Sequence, residues 1–320
     1  MDYEVEIISP EKKDTLIDEK YKQSISYGRK ANIEGSCIKL LTNIEGFQNM
    51  WTDNFKSMSE DIRPHGRVFA LSTDDDEKGV LYEPISKTCF LLNYEYYGYV
   101  KSLALAVAGD FLEEYHSIHS RYSVHGAAID YKGRGTAIIA PSGTGKTTHS
   151  YGLLLNEGVR LVADDWFYTR ITDSEVEAKA SEKNNYIRVD VASSWSEYEG
   201  LLKGITLDER GRAVVNVRRV LGEAAMKEYT TLSNVVLLKR DPDDDEIFKK
   251  IGKEEALDYI LKNEFCNPHQ LVKDKRKTKL RKKFFQELFE RTNLFMINTV
   301  ASIDENQDHL REIVLEKTCF

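Results

Sequence analysis

Residues 136–148 read Thr-Ala-Ile-Ile-Ala-Pro-Ser-Gly-Thr-Gly-Lys-Thr-Thr, and no other run constrains the fold of this chain as tightly. An apolar stretch with strand character leads into a glycine-containing loop and then a helical pattern. That is the context a phosphate-binding Walker A loop requires, with Ala140 where the first glycine often stands. Gly143 and Gly145 let the backbone curl so that successive N–H groups point inward at phosphate oxygens. A helix starting at Lys146 adds its positive N-terminal end. Ser142, Gly143, Thr144, Gly145, Lys146, Thr147 and Thr148 are therefore the candidate nucleotide-binding residues. The Lys146 ammonium is suited to the β- and γ-phosphates, and the Thr147 hydroxyl to Mg²⁺. The expected architecture is α/β, a mixed sheet flanked by helices.

Downstream, Leu161-Val162-Ala163-Asp164-Asp165 ends a second apolar strand, at the spacing expected of a neighbouring parallel strand. On its own such a pair reads as a turn or a helix cap. After a phosphate loop it suits two jobs: one carboxylate on the metal side, the other accepting a proton from an attacking hydroxyl. The second acid is aspartate, not the glutamate that polarises water in motor and transport ATPases. This leans towards transfer to a positioned acceptor.

Composition bounds the remainder. The length of 320 residues sets a prior of about two domains. A net charge of −8 supplies no basic field to draw the chain onto nucleic acid or anionic lipid. The first six residues lack the basic and apolar regions of a secretion signal. The apolar stretch at 103–108 is interrupted by Lys101, Asp110, Glu113 and Glu114, too broken to span a bilayer. Cys37, Cys89, Cys266 and Cys319 lie far apart, which argues against a zinc site or disulfide framework. A cytoplasmic chain with no nucleic-acid and no membrane partner is expected.

The pattern divides near residue 95 into a smaller α+β N-terminal region, 1–95, and a phosphate-loop domain, 96–320. Short strands are expected at 3–8, 35–41, 67–71, 79–82 and 89–92, with a helix at 47–58 and a hairpin tip at 74–79. Tyr99, Leu103, Val107, Phe111, Leu112 and Tyr115 recur at helical spacing over 96–119. Strands follow at 123–131, 136–140, 160–164, 167–171, 213–217, 234–239 and 294–298. Helices are expected at 146–156, 254–262, 271–291 and 307–317. The basic run 273–283 lies beside Phe284, Phe285, Leu288 and Phe289 and reads as the solvated face of an amphipathic helix. The acidic run 241–246 reads as a turn, and Trp51, Trp166 and Trp195 as packing residues.

Three pieces in order carry a family resemblance: His125-Gly126, the loop at 142–147 and the Leu-Val-Ala-Asp-Asp at 161–165. A fourth, Leu207-Asp208-Glu209-Arg210-Gly211-Arg212-Ala213-Val214-Val215-Asn216-Val217, looks like the same family's signature loop. The stretch 121–240 resembles the catalytic core of the HPr kinase/phosphorylase family, relatives of phosphoenolpyruvate carboxykinase. The resemblance implies an HPr kinase/PEP carboxykinase-like core and an ATP- and Mg²⁺-dependent kinase acting on a hydroxyl-bearing acceptor, with self-association into a homo-oligomer. It implies catalytic roles for Asp164 as base, His125, Lys146 and Arg210, and metal-side roles for Thr147, Asp165 and Asp208. Arg188, Arg218 and Arg219 join Arg210 as candidates for holding acceptor or transferred charge. The family's Pro-Gly-Arg-Asn segment has no counterpart here; Asn267-Pro268-His269-Gln270 stands in that region. With the unfamiliar N-terminal region, this points away from HPr and towards a free small molecule such as serine, or a peptide. An HPr-type protein serine kinase/phosphorylase, a carboxykinase-like lyase and a non-catalytic nucleotide-sensing module are the rivals.

Overall fold

The computed structural model describes residues 3–74, 77–114, 121–208 and 210–315. In the N-terminal half, seven strands form one sheet: β1 (Val5–Ile7), β2 (Tyr27–Ile33), β3 (Ser36–Thr42), β4 (Lys56–Ser57), β5 (Gly66–Leu71), β6 (Gly79–Glu83) and β7 (Thr88–Leu92). They pair in the order β1-β6-β7-β5-β3-β2-β4. Helix α1 (Pro10–Thr15) follows β1, and α2 (Glu45–Asn54) follows β3. The helix expected at 47–58 stops earlier because Phe55 turns extended and Lys56–Ser57 pairs with β2. Strand β2 was not anticipated. Of the expected hairpin tip, Asp75 and Asp76 lie outside the described residues.

Helix α3 (Tyr97–Glu114) is buried all round apart from Phe111 and Glu114. Its buried charges, Lys101, Asp110 and Glu113, are ion-paired, and the apolar residues on its other positions need cover on every side. It packs on β3, β5 and β7 of the first sheet and on the strand that opens the second. Its expected end, with Tyr115, lies outside the described residues.

The second sheet contains β8 (Arg121–Tyr131), β9 (Arg134–Ile139), β10 (Val159–Ala163), β11 (Trp166–Ile171) and β12 (Val176–Ala180). A separate hairpin follows, β13 (Asn185–Arg188) with β14 (Arg212–Val215), and the sheet resumes with β15 (Tyr229–Lys239), β16 (Phe248–Lys250) and β17 (Asn293–Asn298). Helix α4 (Lys146–Leu154) follows β9; α5 (Asp190–Ser194) and α6 (Arg218–Leu221) flank the hairpin. α7 (Lys253–Lys262), α8 (Lys275–Glu290) and α9 (Ile303–Val314) cover the C-terminal part. Pairing is mixed, with β15 parallel to β9 and β17 and the other pairs of this sheet antiparallel. The chain is a mixed α/β protein. Among the described residues no helix is long and apolar enough to cross a membrane.

One expectation needs correction. The strand that ends in the aspartate pair is not the neighbour of the phosphate-loop strand. β9 lies between β8 and β15, and β10 pairs antiparallel with β8. β10 therefore runs in the direction of β9 with β8 between them. A second correction concerns the basic run: Lys277 is buried, while the lysines around it face solvent. Cys37, Cys89 and Cys266 are buried free thiols; Cys319 lies outside the described residues.

Candidate active site

Strand β8 organises the site. Its C-terminal half pairs with β9 on one edge and β10 on the other, and its N-terminal half pairs with β11. β10 and β11 thus follow one another along β8, and the break between them is Asp164–Asp165. That break stands at His125–Gly126, where the Gly126 N–H donates to the Asp165 carbonyl at 2.9 Å. On the other edge Gly126 is opposite Ile139, the last residue before the phosphate loop. The two signals read from the sequence therefore meet at the middle of one strand. Gly126 has no room for a side chain: a Cβ there would stand 2.8 Å from the Ile138 carbonyl oxygen.

The loop has the backbone its glycines allow, with φ of 83° at Gly143 and 96° at Gly145. The Lys146 ammonium folds onto the loop, donating to the carbonyls of Ala140 at 2.7 Å and Pro141 at 3.2 Å. The Thr144 hydroxyl donates to the Pro141 carbonyl at 2.8 Å. Behind the loop, Trp195 donates from Nε1 to the Thr148 carbonyl at 2.9 Å, which gives this tryptophan a holding role as well as a packing one.

The two aspartates differ in setting. Asp165 is half-buried. Its Oδ2 accepts from the Lys101 ammonium at 2.5 Å, and its Oδ1 lies 3.3 Å from His125 Nε2. Burial favours the protonated acid, but Lys101 and His125 outweigh it and hold this carboxyl well below the usual carboxylate range. Asp164 is buried, and burial with the nearby Glu182 and Asp165 pushes its carboxyl well above that range. Lys101 is itself buried and 3.6 Å from Glu182. Burial alone would favour the neutral amine, yet Asp165, Glu182 and Asp164 keep it charged. Glu182 is fixed by Asn54, whose Nδ2 donates to it at 2.7 Å. His125 Nδ1 stands 2.6 Å from the Cys266 carbonyl. Burial and the Lys146 charge lower the pKa of the ring; in the neutral imidazole its single N–H can serve only one of these two acceptors, whereas the protonated ring would donate to both.

A cleft of about 730 Å³ joins these groups. It takes in the loop from Ser142 to Thr148 (Thr144 excepted), together with His125, Asp164, Asp165, Arg188 and Arg210. Asp208, Arg218 and Arg219 are not among its lining residues. The Asp208 carboxylate accepts the backbone N–H groups of Arg210 and Arg212 at 2.9 and 2.8 Å and the Tyr186 hydroxyl. It shapes the turn before β14. Arg218 lies 3.4 Å from Glu223, Arg219 is exposed, and Arg188 pairs with Asp190 at 3.0 Å. Glu209 lies outside the described residues.

Sequence reasoning missed Lys101, Glu182, Arg212 and His269. Lys101 had a signal, a single charge inside an apolar helical run. His269 stood in a segment singled out only for what it lacks. Arg212 stood in the signature loop, two residues after Arg210, and Glu182 had none.

No protein-family model matches the chain. Among curated proteins, an HPr kinase/phosphorylase of Streptococcus mutans is 32% identical over 133 residues, 41% of this chain and 36% of the relative. One from Streptococcus thermophilus is 30% identical over 132 residues, again 41% and 36%. One from Leptothrix cholodnii is 30% identical over 156 residues, 48% and 42%. The match spans little more than a third of the first two relatives. A solved structure, the HPr(Ser) kinase/phosphatase of Coxiella burnetii, aligns over 61% of this chain and 88% of its own with 15% identity and a TM-score of 0.34. Motifs read residue by residue and curated relatives found independently lead to the same place: this chain carries an HPr kinase-like region.

Proposed function

We propose that the protein is a kinase that transfers the γ-phosphoryl group of ATP to a serine-type hydroxyl bound in the cleft. The observation that carries this reading is the meeting, at His125–Gly126, of a phosphate loop and a carboxylate held ionised by Lys101 and His125. The loop N–H groups and Lys146 hold the triphosphate. Asp164, with its raised proton affinity, takes the proton from the acceptor hydroxyl as it attacks. Arg210, whose guanidinium lies over Tyr96 at 4.5 Å, neutralises charge on the acceptor side.

Oxygen donors line this end of the cleft, the Thr147 hydroxyl and the exposed part of Asp165, and hard oxygen ligands suit Mg²⁺. Among the described residues no three acidic, histidine or cysteine side chains cluster as a metal cage. Thr147 and Asp165 would hold it. Bound there, Mg²⁺ supplies charge neutralisation on the phosphates.

The test is to incubate the protein with ATP, Mg²⁺ and single acceptors, following ADP and a new phosphomonoester by ³¹P NMR. ADP and phosphomonoester in equal amounts are expected for an accepted hydroxyl. Nucleotide binding with no phosphomonoester from any acceptor would favour a sensing module instead. A second reading, an HPr-type protein serine kinase/phosphorylase, is favoured by the names of the relatives; HPr therefore belongs among the acceptors.

A further inference from the structure

The end of the cleft away from the phosphate loop is built by the start of α3 and by the β13–β14 hairpin, and its cations are held differently. Lys101 has Asp165 and Glu182, and Arg188 has Asp190. Arg212 has no ion pair among the described residues, and its Nε is buried without a hydrogen-bond partner. Its guanidinium lies beside two neighbouring rings, 5.6 Å from the centroid of Tyr96 and 6.0 Å from that of Tyr186. Aromatic faces recover part of what a guanidinium loses on leaving water, but they do not satisfy its N–H donors. Asp208, the nearest acid in sequence among the described residues, spends its carboxylate on backbone N–H groups and on Tyr186. A cation kept partly buried with unmet donors at a cleft wall is set up to receive an anion from outside.

The position fits the chemistry. The Tyr186 ring that flanks Arg212 also lies 5.7 Å from the Lys101 ammonium, which touches Asp165. The unmet guanidinium and the cation at the aspartate pair therefore neighbour the same tyrosine ring, within the reach of a compact molecule. We infer that Arg212 is the anion-binding residue of the acceptor subsite, and that the acceptor is a small hydroxy acid whose carboxylate pairs with this guanidinium while its hydroxyl faces Asp164. The fork of donors on arginine matches a carboxylate bidentately, and a lysine in its place would not. This inference rests on the kinase reading and names its substrate class.

The experiment uses the full chain, ATP, Mg²⁺ and matched acceptor pairs: L-serine with L-serinamide, L-threonine with L-threoninamide, D-glycerate with glycerol, and HPr separately. For the wild type, kcat/KM for at least one acid should exceed that for its uncharged partner by about tenfold or more. In Arg212→Met that ratio should fall towards one, through KM for the acid and not KM for ATP. Arg212→Lys should retain an intermediate preference, and Arg212→Gln serves in place of the methionine variant should that one not fold. An uncharged acceptor used as well as its acid, or a preference that survives Arg212→Met, overturns the inference and leaves the kinase reading standing. So does phosphorylation of HPr with no free hydroxy acid accepted. No phosphomonoester from any acceptor removes the kinase reading and the inference with it.

Discussion

At Gly126 the smallest possible side chain would have to move backbone, since the atom it meets is the Ile138 carbonyl oxygen of the paired strand. Gly126→Ala should therefore cost about 1–3 kcal/mol, read from denaturant unfolding, and should weaken ATP binding because β9 carries the loop. Lys146 acts on the ligand more directly. Its ammonium must leave the Ala140 and Pro141 carbonyls to reach a phosphate, so its net gain is smaller than a free lysine would give. Lys146→Ala should still weaken ATP by about 1.5–3 kcal/mol in a calorimetric titration, the scale of a hydrogen bond to a charged group. The aspartates should fail differently. Asp164→Asn should lower kcat with ATP affinity largely kept, whereas Asp165→Asn should raise the Mg²⁺ concentration needed for half-maximal rate. Matching wild-type-like kinetics in both variants would sink their assigned roles.

Among the elements, α3 and α8 are joined by charges in the interior. The Lys277 ammonium, on a side chain 1% exposed, stands 2.7 Å from Asp110 Oδ1 and 3.3 Å from Glu113. On the side of the N-terminal sheet, Lys87 donates to Asp110 Oδ2 at 2.6 Å, and the Tyr82 hydroxyl donates to that Oδ2 at 2.7 Å. Removing one partner strands the others, so Lys277→Met should destabilise by about 3–5 kcal/mol, while Lys279→Met, on the exposed face, should stay within about 0.5 kcal/mol. Equal unfolding midpoints for the two variants would refute this. The contrast also shows what a sequence can carry. The phosphate loop, α4 and the aspartate pair were legible because their signals are local: glycines at fixed offsets, an apolar strand, a run ending in acids. Lys277 was not, because a buried lysine and an exposed one look alike within a basic run. Nor was the place of β10, since which strands pair is decided by how α4 carries the chain across β8. Lys101 and Glu182 reach the site through tertiary packing that no spacing announces.

For the whole molecule, acid sensitivity follows from a histidine at the junction of its parts. The His269 Nδ1 is hydrogen-bonded to the Tyr3 hydroxyl at 2.8 Å, and burial, with His125 nearby, lowers the pKa of the ring from 6.5 to about 3. The unfolded chain takes up this proton near pH 6.5 and the folded chain only near pH 3. The stability it contributes is therefore fully present above pH 6.5 and is lost as the pH falls towards 3, at a slope of about 1.4 kcal/mol per pH unit. Stability measured from pH 6 to 4 should fall less steeply in His269→Asn; an unchanged slope would falsify this assignment.

The burial of α3 has a consequence for synthesis. The helix leaves the ribosome after the sheet that covers one side of it and before β8 and β11, which contribute to the cover on the other. Trp166 and Tyr168 share its apolar cluster, and the Tyr168 hydroxyl donates to the Leu105 carbonyl at 2.7 Å. While those strands are still being made, a face bearing Leu103, Leu105 and Val107 has only part of its final partners. The nascent chain is most open to aggregation in that interval, and slower translation across 115–165 lengthens it.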